Sequence, residues 1–523
     1  MKAILNKPLV WTLVGALLTA LTLVFPVLGA LQWLSMIPVF LGLFRMCEDP
    51  AFRARRAYGY GFLTVYIYYL VLYHWFCDLY PLDFAGLDAF SSAIVVAVAC
   101  LGLPLLQAIP GGLIFLCYRA IHKTGIFEKA PILRPVAFSA LWVIFEWSST
   151  LHWSGVPWGR LALGQIELLP MLQSASLFGS YFVSFLLLLV NGFCAYAIYW
   201  RKKALPCGLL AAALLSSNLL FGEIMLHAES KEQDCVTVAV IQANLNSHEK
   251  WSNSASYAIT KHAELTAKAA SEGAELVVWP ETALPVDLEY RWEIKEEISE
   301  IARTNGVSIV VGAFHVNEVK EEFNALFWVD PEGNFSEQIY AKRHLVPFGE
   351  YVPMRELIIT LIPPLAEISM LEEDLTPGRD SALFESEWGK IGSLICFDSI
   401  YEQLTLDSVR DGAELMLISS NDSWFMDSAA VYQHQAQAQL RAIESGRSFV
   451  RSANTGISSV ITARGELLAM IDPLTEGYAV SCVPTHSDAT LYTVVGNLWV
   501  YLCIAFSILL WGTGVILQKR RQK

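Results

Sequence analysis

Charge is scarce in this sequence, and basic charge scarcer still. Lys and Arg number 36 against 50 Asp and Glu, the net charge is −14, and only 16% of residues are charged. With no basic stripe to displace counterions from a phosphate backbone, a nucleic-acid partner is excluded on electrostatic grounds. The ten cysteines form no CxxC pair and no zinc spacing, so no metal site is expected. Only Cys235, Cys396 and Cys482 fall in the polar part of the chain. A Cys235–Cys482 disulfide stays open, since both lie near the junctions of that part with apolar runs. No P-loop, dinucleotide-binding glycine fingerprint, GxSxG or HExxH is present, which removes the usual nucleotide, serine-hydrolase and zinc-protease chemistries. No cofactor is expected. Repeats and low-complexity segments are missing too. The opening apolar run lacks a small-residue cleavage site and is followed at once by another, so it reads as a retained anchor.

What is abundant is apolar surface. At 54% hydrophobic over 523 residues, the chain is too apolar for a soluble enzyme and reads as an integral membrane protein. The apolar mass is uneven, which predicts a membrane domain over 1–227, a globular domain over 228–494, and a last span with a basic tail over 495–523. Spanning the hydrocarbon takes about 20 apolar residues. Candidate spans fall near 9–25, 27–44, 57–77, 91–118, 135–150, 172–199, 205–226 and 496–516, the fourth expected to be broken or tilted at Pro104 and Pro110. Arg45, Arg53, Arg55 and Arg56 follow the second span; Arg119, Lys123, Lys129 and Arg134 surround the link after the fourth. Arg201, Lys202 and Lys203 follow the sixth, and Lys519, Arg520, Arg521 and Lys523 end the chain, while CDLYPLD between the third and fourth carries only acids. By the positive-inside rule both termini are cytoplasmic, and the globular domain faces outward from a multi-pass protein of the cytoplasmic membrane.

Within 228–494 strand-like and helix-like stretches alternate. VTVAVIQAN (236–244), ELVVWPE (275–281), SIVVGAF (308–314), NALFWVD (324–330), IGSLICFD (391–398), ELMLISSND (414–422) and stretches near 448–453, 457–463 and 478–483 read as strands, with helices near 254–272, 291–305 and 430–446. That order implies layered α/β architecture. The apolar run in WGKIGSLICFDSIYE ends on Cys396, and Glu281 and Lys342 also stand at or just past strand ends. Each alone has an ordinary explanation: a buried cysteine, a first-turn acid, a solvated lysine. Together they make a base, a cation and a nucleophile.

WPE at 279–281, the lysine of YAKRHLVPFGEYVP and the cysteine of ICFD resemble the Glu-Lys-Cys triad of the nitrilase, or carbon-nitrogen hydrolase, superfamily. With spans on both sides, the whole chain resembles its membrane branch, the apolipoprotein N-acyltransferase family. Glu146-Trp147, GVPW at 155–158, the QAN and KW of IQANLNSHEKW, and SNDSWF at 420–425 are similar to further signatures of that branch. The resemblance implies a multi-span α-helical membrane domain plus an α/β nitrilase-like αββα sandwich domain. It implies a monomer in which Glu281 is the base, Lys342 the lysine, Cys396 the nucleophile and Glu350 a supporting glutamate. It further implies supporting roles for Phe397 and Asp398 and substrate-binding roles for Trp251, Asn421 and Trp424. Phe397 and Asp398 depart from the Tyr and Glu of well-known members, and Met426 stands where the branch has glycine.

A thiol of pKa about 8.5 is only a few per cent ionised at neutral pH. A lysine at about 4 Å would favour the thiolate by roughly 4 kcal/mol at an effective dielectric of about 20, and an ionised glutamate would oppose it as much, so the proton belongs to a coupled site. The implied reaction takes an acyl chain from a phospholipid donor to a diacylglyceryl-modified lipoprotein. The rival reading is a membrane-tethered amidohydrolase with water as acceptor, because one fold serves many reactions.

Overall fold

The computed structural model describes residues 7–49, 52–82, 86–228, 235–245, 255–361 and 374–522. Trp251 lies outside the described residues. The chain divides into two compact units, one of Met1–Phe76, Ala97–Ala228 and Val495–Lys523, the other of Cys77–Val96 and Glu229–Val494.

The first unit is helical. Among the described residues five helical segments are long and apolar enough to cross a membrane: Pro26–Glu48, Ala89–Lys123, Ser180–Tyr199, Arg201–His227 and Leu498–Arg521. The other expected spans fall on helices Pro8–Val24, Ala54–Leu72 and Leu133–Ser148. Two expectations change. Of the two alternatives for the fourth span, broken or tilted, the break does not occur: Ala89–Lys123 runs 35 residues with Pro104 and Pro110 inside it, about 52 Å at 1.5 Å per residue. Gly111 and Gly112 serve instead to let a neighbouring helix in, since a Cβ on them would come within 2.5 Å of Val65 and 2.6 Å of Tyr58. Conversely, the expected continuous span 172–199 is interrupted at Gly179, which adopts φ 77° between Ala175–Phe178 and Ser180–Tyr199.

Where helices break inside an apolar unit, the freed backbone groups need partners. Gln32 Nε2 donates to the Leu161 carbonyl at 2.9 Å, Gln165 Nε2 to the Gly29 carbonyl at 2.9 Å, and Asn191 Oδ1 accepts from the Met36 amide at 2.9 Å. Glu146 belongs to this set: its Oε1 accepts from the Leu161 amide at 2.9 Å and from Trp142 Nε1 at 3.1 Å. The Glu-Trp signature thus ties the helix Leu133–Ser148 to the irregular segment that follows GVPW.

The second unit is built on two sheets. Its strands are β1 Cys235–Gln242, β2 Leu276–Val278, β3 Leu284–Asp287, β4 Ser308–Val316, β5 Glu322–Val329, β6 Phe335–Ala341, β7 Phe384–Ser386, β8 Gly389–Ile395, β9 Leu415–Ser420, β10 Ser448–Ala453, β11 Ser458–Ile461, β12 Leu467–Ile471 and β13 Gly477–Pro484. One sheet has seven strands, ordered β13-β1-β2-β4-β5-β6 with β3 beside β4; the other has six, ordered β12-β11-β10-β9-β8-β7. Alternation along each strand separates two faces. Val236, Val238 and Val240 of β1 turn inward with Leu276, Val278 and Val310, against Ile391, Ile395, Leu415, Leu417 and Val450 of the other sheet. Ala239 and Ile241 turn outward onto Ile259, Leu265, Ile298 and Ala302 of the helices Ala255–Ser271 and Trp292–Asn305. Helices Glu402–Arg410 and Ala429–Ser445 pack against β8 and β10 of the second sheet, completing an αββα sandwich.

The sequence pattern does not reveal β3, β6, β7 or β12. They are short or lie at sheet edges, and in β6, FSEQIYA, the polar run Ser336-Glu337-Gln338, with Glu337 and Gln338 exposed, breaks up the apolar residues. β13 runs antiparallel along β1 with Thr237 opposite Cys482, and the structure pairs Cys235 with Cys482 at a Cα–Cα distance of 5.8 Å.

Candidate active site

Three strand ends deliver the three expected residues. Glu281 sits in the turn after β2, where Gly312 of β4 lies so close that a Cβ there would overlap the Pro280 carbonyl. Lys342 follows β6 directly, its amide bonded to the Asn324 carbonyl of β5 at 2.8 Å. Cys396 follows β8 and opens a short 3₁₀ turn, Cys396–Ile400, with φ of 49°. Thr282, next to Glu281, is also left-handed at φ 43°. Non-glycine residues in this region are strained and persist only where their surroundings over-determine them.

The polar heart is a ring of four side chains. Lys342 Nζ donates to Glu281 Oε1 and Glu350 Oε1, each at 2.9 Å, and Asn324 Nδ2 donates to the same two oxygens at 2.7 and 3.0 Å. Glu350 reaches back because VPFG turns the chain, with Phe348 at φ 66°; its Oε2 also accepts from the Val346 amide at 2.8 Å. Lys342 is 2% exposed and Glu281 4%, so this pair lies away from bulk water, while Glu350 is half-buried. Burial opposes the lysine charge, but the carboxylates of Glu281 and Glu350 outweigh it and hold the ammonium well above its usual pKa. Burial raises Glu350 above the usual carboxylate range, Lys342 opposing and Glu281 adding to the rise. Two carboxylates thus share one cation.

Cys396 faces this ring half-buried. Burial first, then the Glu281 carboxylate, push its thiol well up, and Lys342 pulls the other way without prevailing. The balance expected from charge alone is therefore tipped by desolvation: the thiol rests protonated, and a nucleophilic role for it would call for a base.

Asp398 and Phe397 part company. Asp398 is fully buried and fastens the nucleophile turn to the lysine loop: its oxygens accept from the His344 amide at 2.7 Å, the Tyr340 hydroxyl at 2.9 Å and the Ile395 amide at 3.1 Å. Its aspartate in place of glutamate is accommodated by these close donors. Phe397 is half-buried, its ring edge-on to Tyr401 at 5.4 Å. Asp398→Asn turns one acceptor oxygen into a donor facing these N–H groups. It should cost about 1–3 kcal/mol of stability, read as a lower midpoint in thermal unfolding; an unchanged midpoint would remove Asp398 from this role.

Of the expected substrate contacts, Asn421 is half-buried with its Oδ1 accepting from Asn454 Nδ2 at 3.3 Å. Trp424 is half-buried in the turn Ser423–Phe425. Met426 takes φ 48°, ψ −137°, a glycine-like backbone carried by methionine. Sequence reasoning missed Asn324, although a lone asparagine opening an apolar strand is a visible sign of a buried polar task. It also missed Asp422, His434 and Arg451.

Cys396, Asp422 and His434 bring potential metal-binding atoms within 4.8 Å of one another. The set does not suit a cation. Asp422 Oδ2 is engaged at 2.6 Å by the guanidinium of Arg451, whose fixed positive charge would face any ion placed there.

Residues 237–487 match the carbon-nitrogen hydrolase family, and residues 15–193 match the apolipoprotein N-acyltransferase N-terminal domain. The apolipoprotein N-acyltransferase of Geobacter metallireducens is 30% identical over 518 residues, covering 96% of this chain and 94% of that protein. That of Allorhizobium ampelinum is 30% identical over 437 residues, 81% of this chain and 79% of its own. That of Gloeobacter violaceus is 28% identical over 483 residues, 92% of this chain and 89% of its own.

Proposed function

The chain belongs to the apolipoprotein N-acyltransferase family, and from that premise we propose that it moves a fatty acyl chain from a phospholipid, through a thioester on Cys396, to the α-amino group of an N-terminal diacylglyceryl-cysteine. The observation that carries the residue assignment is the buried ring of Glu281, Lys342, Glu350 and Asn324 beside a protonated thiol.

In the first half-reaction the Cys396 sulfur attacks the ester carbonyl while Glu281 takes the thiol proton. The oxyanion forms against Lys342 and the backbone N–H of Phe397, in the first turn of the 3₁₀ segment where such groups lack helical partners. The C–O bond breaks, and Glu281 returns the proton to the leaving lysophospholipid alcohol. In the second, the acceptor ammonium, of pKa near 8, releases one proton to water; the free amine attacks the thioester as Glu281 takes a second proton from its nitrogen, the C–S bond breaks, and Glu281 passes that proton to the sulfur to restore the thiol. Trp251 is assigned to a gate for the bulky acceptor.

The deciding experiment incubates purified protein with acyl-labelled phospholipid, with and without a diacylglyceryl-cysteine peptide. Label should pass to the peptide as an amide, and Trp251→Ala should slow that transfer more than thioester formation. Free fatty acid as the sole product would favour the amidohydrolase, and equal slowing of both steps would remove the gate.

The catalytic residues 228–494 are assigned to the outer face, with both termini cytoplasmic, on the Lys and Arg asymmetry of the loops. A reporter active only in the cytoplasm, inserted near His248, should be silent; activity there would reverse the orientation.

A further inference from the structure

Beneath the nucleophile lies a second polar cluster that the acyl-transfer steps do not use. Asp422 after β9, His434 on the helix Ala429–Ser445 and Arg451 on β10 converge there, at 0%, 1% and 0% exposure. Arg451 Nη2 donates to Asp422 Oδ2 at 2.6 Å, and the Ser420 hydroxyl donates to Asp422 Oδ1 at 3.0 Å. His434 Nδ1 meets Asp422 Oδ1 at 2.9 Å, and its Nε2 meets the Cys396 carbonyl at 3.2 Å and Ser399 Oγ at 3.0 Å. The Ser399 hydroxyl in turn donates to the Cys396 carbonyl at 2.7 Å. His434 Nδ1 also lies 3.2 Å from Arg451 Nη2, and because a carbonyl can only accept, the bond to Cys396 is made by Nε2–H.

Resting on the acyl-transfer reading above, we propose that His434 is a positioning residue: anchored by the Asp422–Arg451 pair, it fastens the peptide of Cys396 and so holds the left-handed turn that aims the thiol. The reason is geometric. Cys396 stands at φ 49°, a conformation that relaxes unless its carbonyl is held. Two donors converge on that carbonyl, from Ser399 within the turn and from His434 outside it. Of the two, His434 links the carbonyl to a support outside the turn, since a buried aspartate bonded to arginine, serine and histidine has little freedom to shift.

The test separates holding the nucleophile from filling the core. In His434→Leu the single-turnover rate of acyl-enzyme formation should fall about 100-fold, the scale of a small misplacement of reacting atoms, with half-saturating phospholipid unchanged within about twofold. His434→Gln can place its amide nitrogen where Nε2 stood and should recover to within about tenfold of the parent rate. His434→Asn reaches only toward Asp422 and should not recover. Wild-type rates in His434→Leu, or recovery by Asn as full as by Gln, would overturn the assignment. Should those variants fail to fold, Ser399→Ala removes only the hydroxyl bridging ring and carbonyl. It should slow acylation about tenfold, and an unchanged rate there is equally fatal. Alkylation of Cys396 by iodoacetamide, ranked across the same variants, reads thiol placement without any lipid. A parent enzyme that alkylates in the expected order yet never takes up an acyl chain would sink the acyl-transfer reading and leave this one standing.

Discussion

Replacing Cys396 with alanine should leave a folded membrane protein that takes up no acyl chain from labelled phospholipid. The side chain is half-buried and makes no packing contribution that alanine could not largely replace, and an alanine at φ 49° carries the same backbone strain as the cysteine, so the change in stability should stay near about 1 kcal/mol. Activity is another matter. Deleting a covalent nucleophile removes the intermediate itself, and losses of about 10⁶-fold are the scale to expect. In the parent, label should sit on Cys396 as a thioester and come off in neutral hydroxylamine. Label that persists on the Cys396→Ala protein, or parent label that resists hydroxylamine, would mean that the acyl group travels by another route.

Glu281→Gln should cut both half-reactions by about 10² to 10⁴-fold, the usual worth of a general base. Glutamine keeps the shape and can still accept from Lys342 and Asn324, whose bonds to Glu281 Oε1 measure 2.9 and 2.7 Å, so folding should survive. What it loses is the ability to take a proton. The pH dependence follows with a definite sign. Burial and the Glu281 carboxylate hold the Cys396 thiol up, so removing that carboxylate lowers the thiol pKa, while attack must now wait for thiolate formed by loss of the proton to bulk water. Acylation by the variant should therefore rise about tenfold per pH unit until the thiol is ionised, and the parent, whose base sits inside the closed site, should depend on pH more weakly. A variant matching the parent in rate and profile would take Glu281 out of the base's role.

Much of this molecule is legible without coordinates because the signals are local. The Lys and Arg loops between apolar runs, the alternation in VTVAVIQAN and the apolar run that ends on Cys396 all express nearest-neighbour physics: burial, strand period, helix length. Glu281, Lys342 and Cys396 were findable as residues past strand ends. Glu350 was findable from its place in a Pro- and Gly-marked loop and from the resemblance. The misses have a common cause. β6 lacks a clean apolar pattern because, at a sheet edge, it carries the polar run Ser336-Glu337-Gln338, although it delivers Lys342. Gly179 breaks a span that is uniformly apolar, whereas Pro104 and Pro110 leave theirs intact, because neighbouring packing rather than residue type decides whether a helix in an apolar unit bends.

Chain order and residue type were enough to indicate two environments, an α/β domain, and a carboxylate, a lysine and a thiol of compatible chemistry. Tertiary structure alone decided how those groups act on one another. Asn324 joins Lys342 in bridging Glu281 and Glu350 across 43 and 26 residues of sequence, and no local pattern encodes such a contact. Burial, which depends on every layer of the sandwich, pushes the Cys396 thiol up and leaves it protonated at rest. Nor could the order of residues show that Asp422, His434 and Arg451, drawn from three separate elements, close beneath the same turn. Desolvation and long-range hydrogen bonding are properties of the packed whole, because each depends on what the surrounding layers exclude.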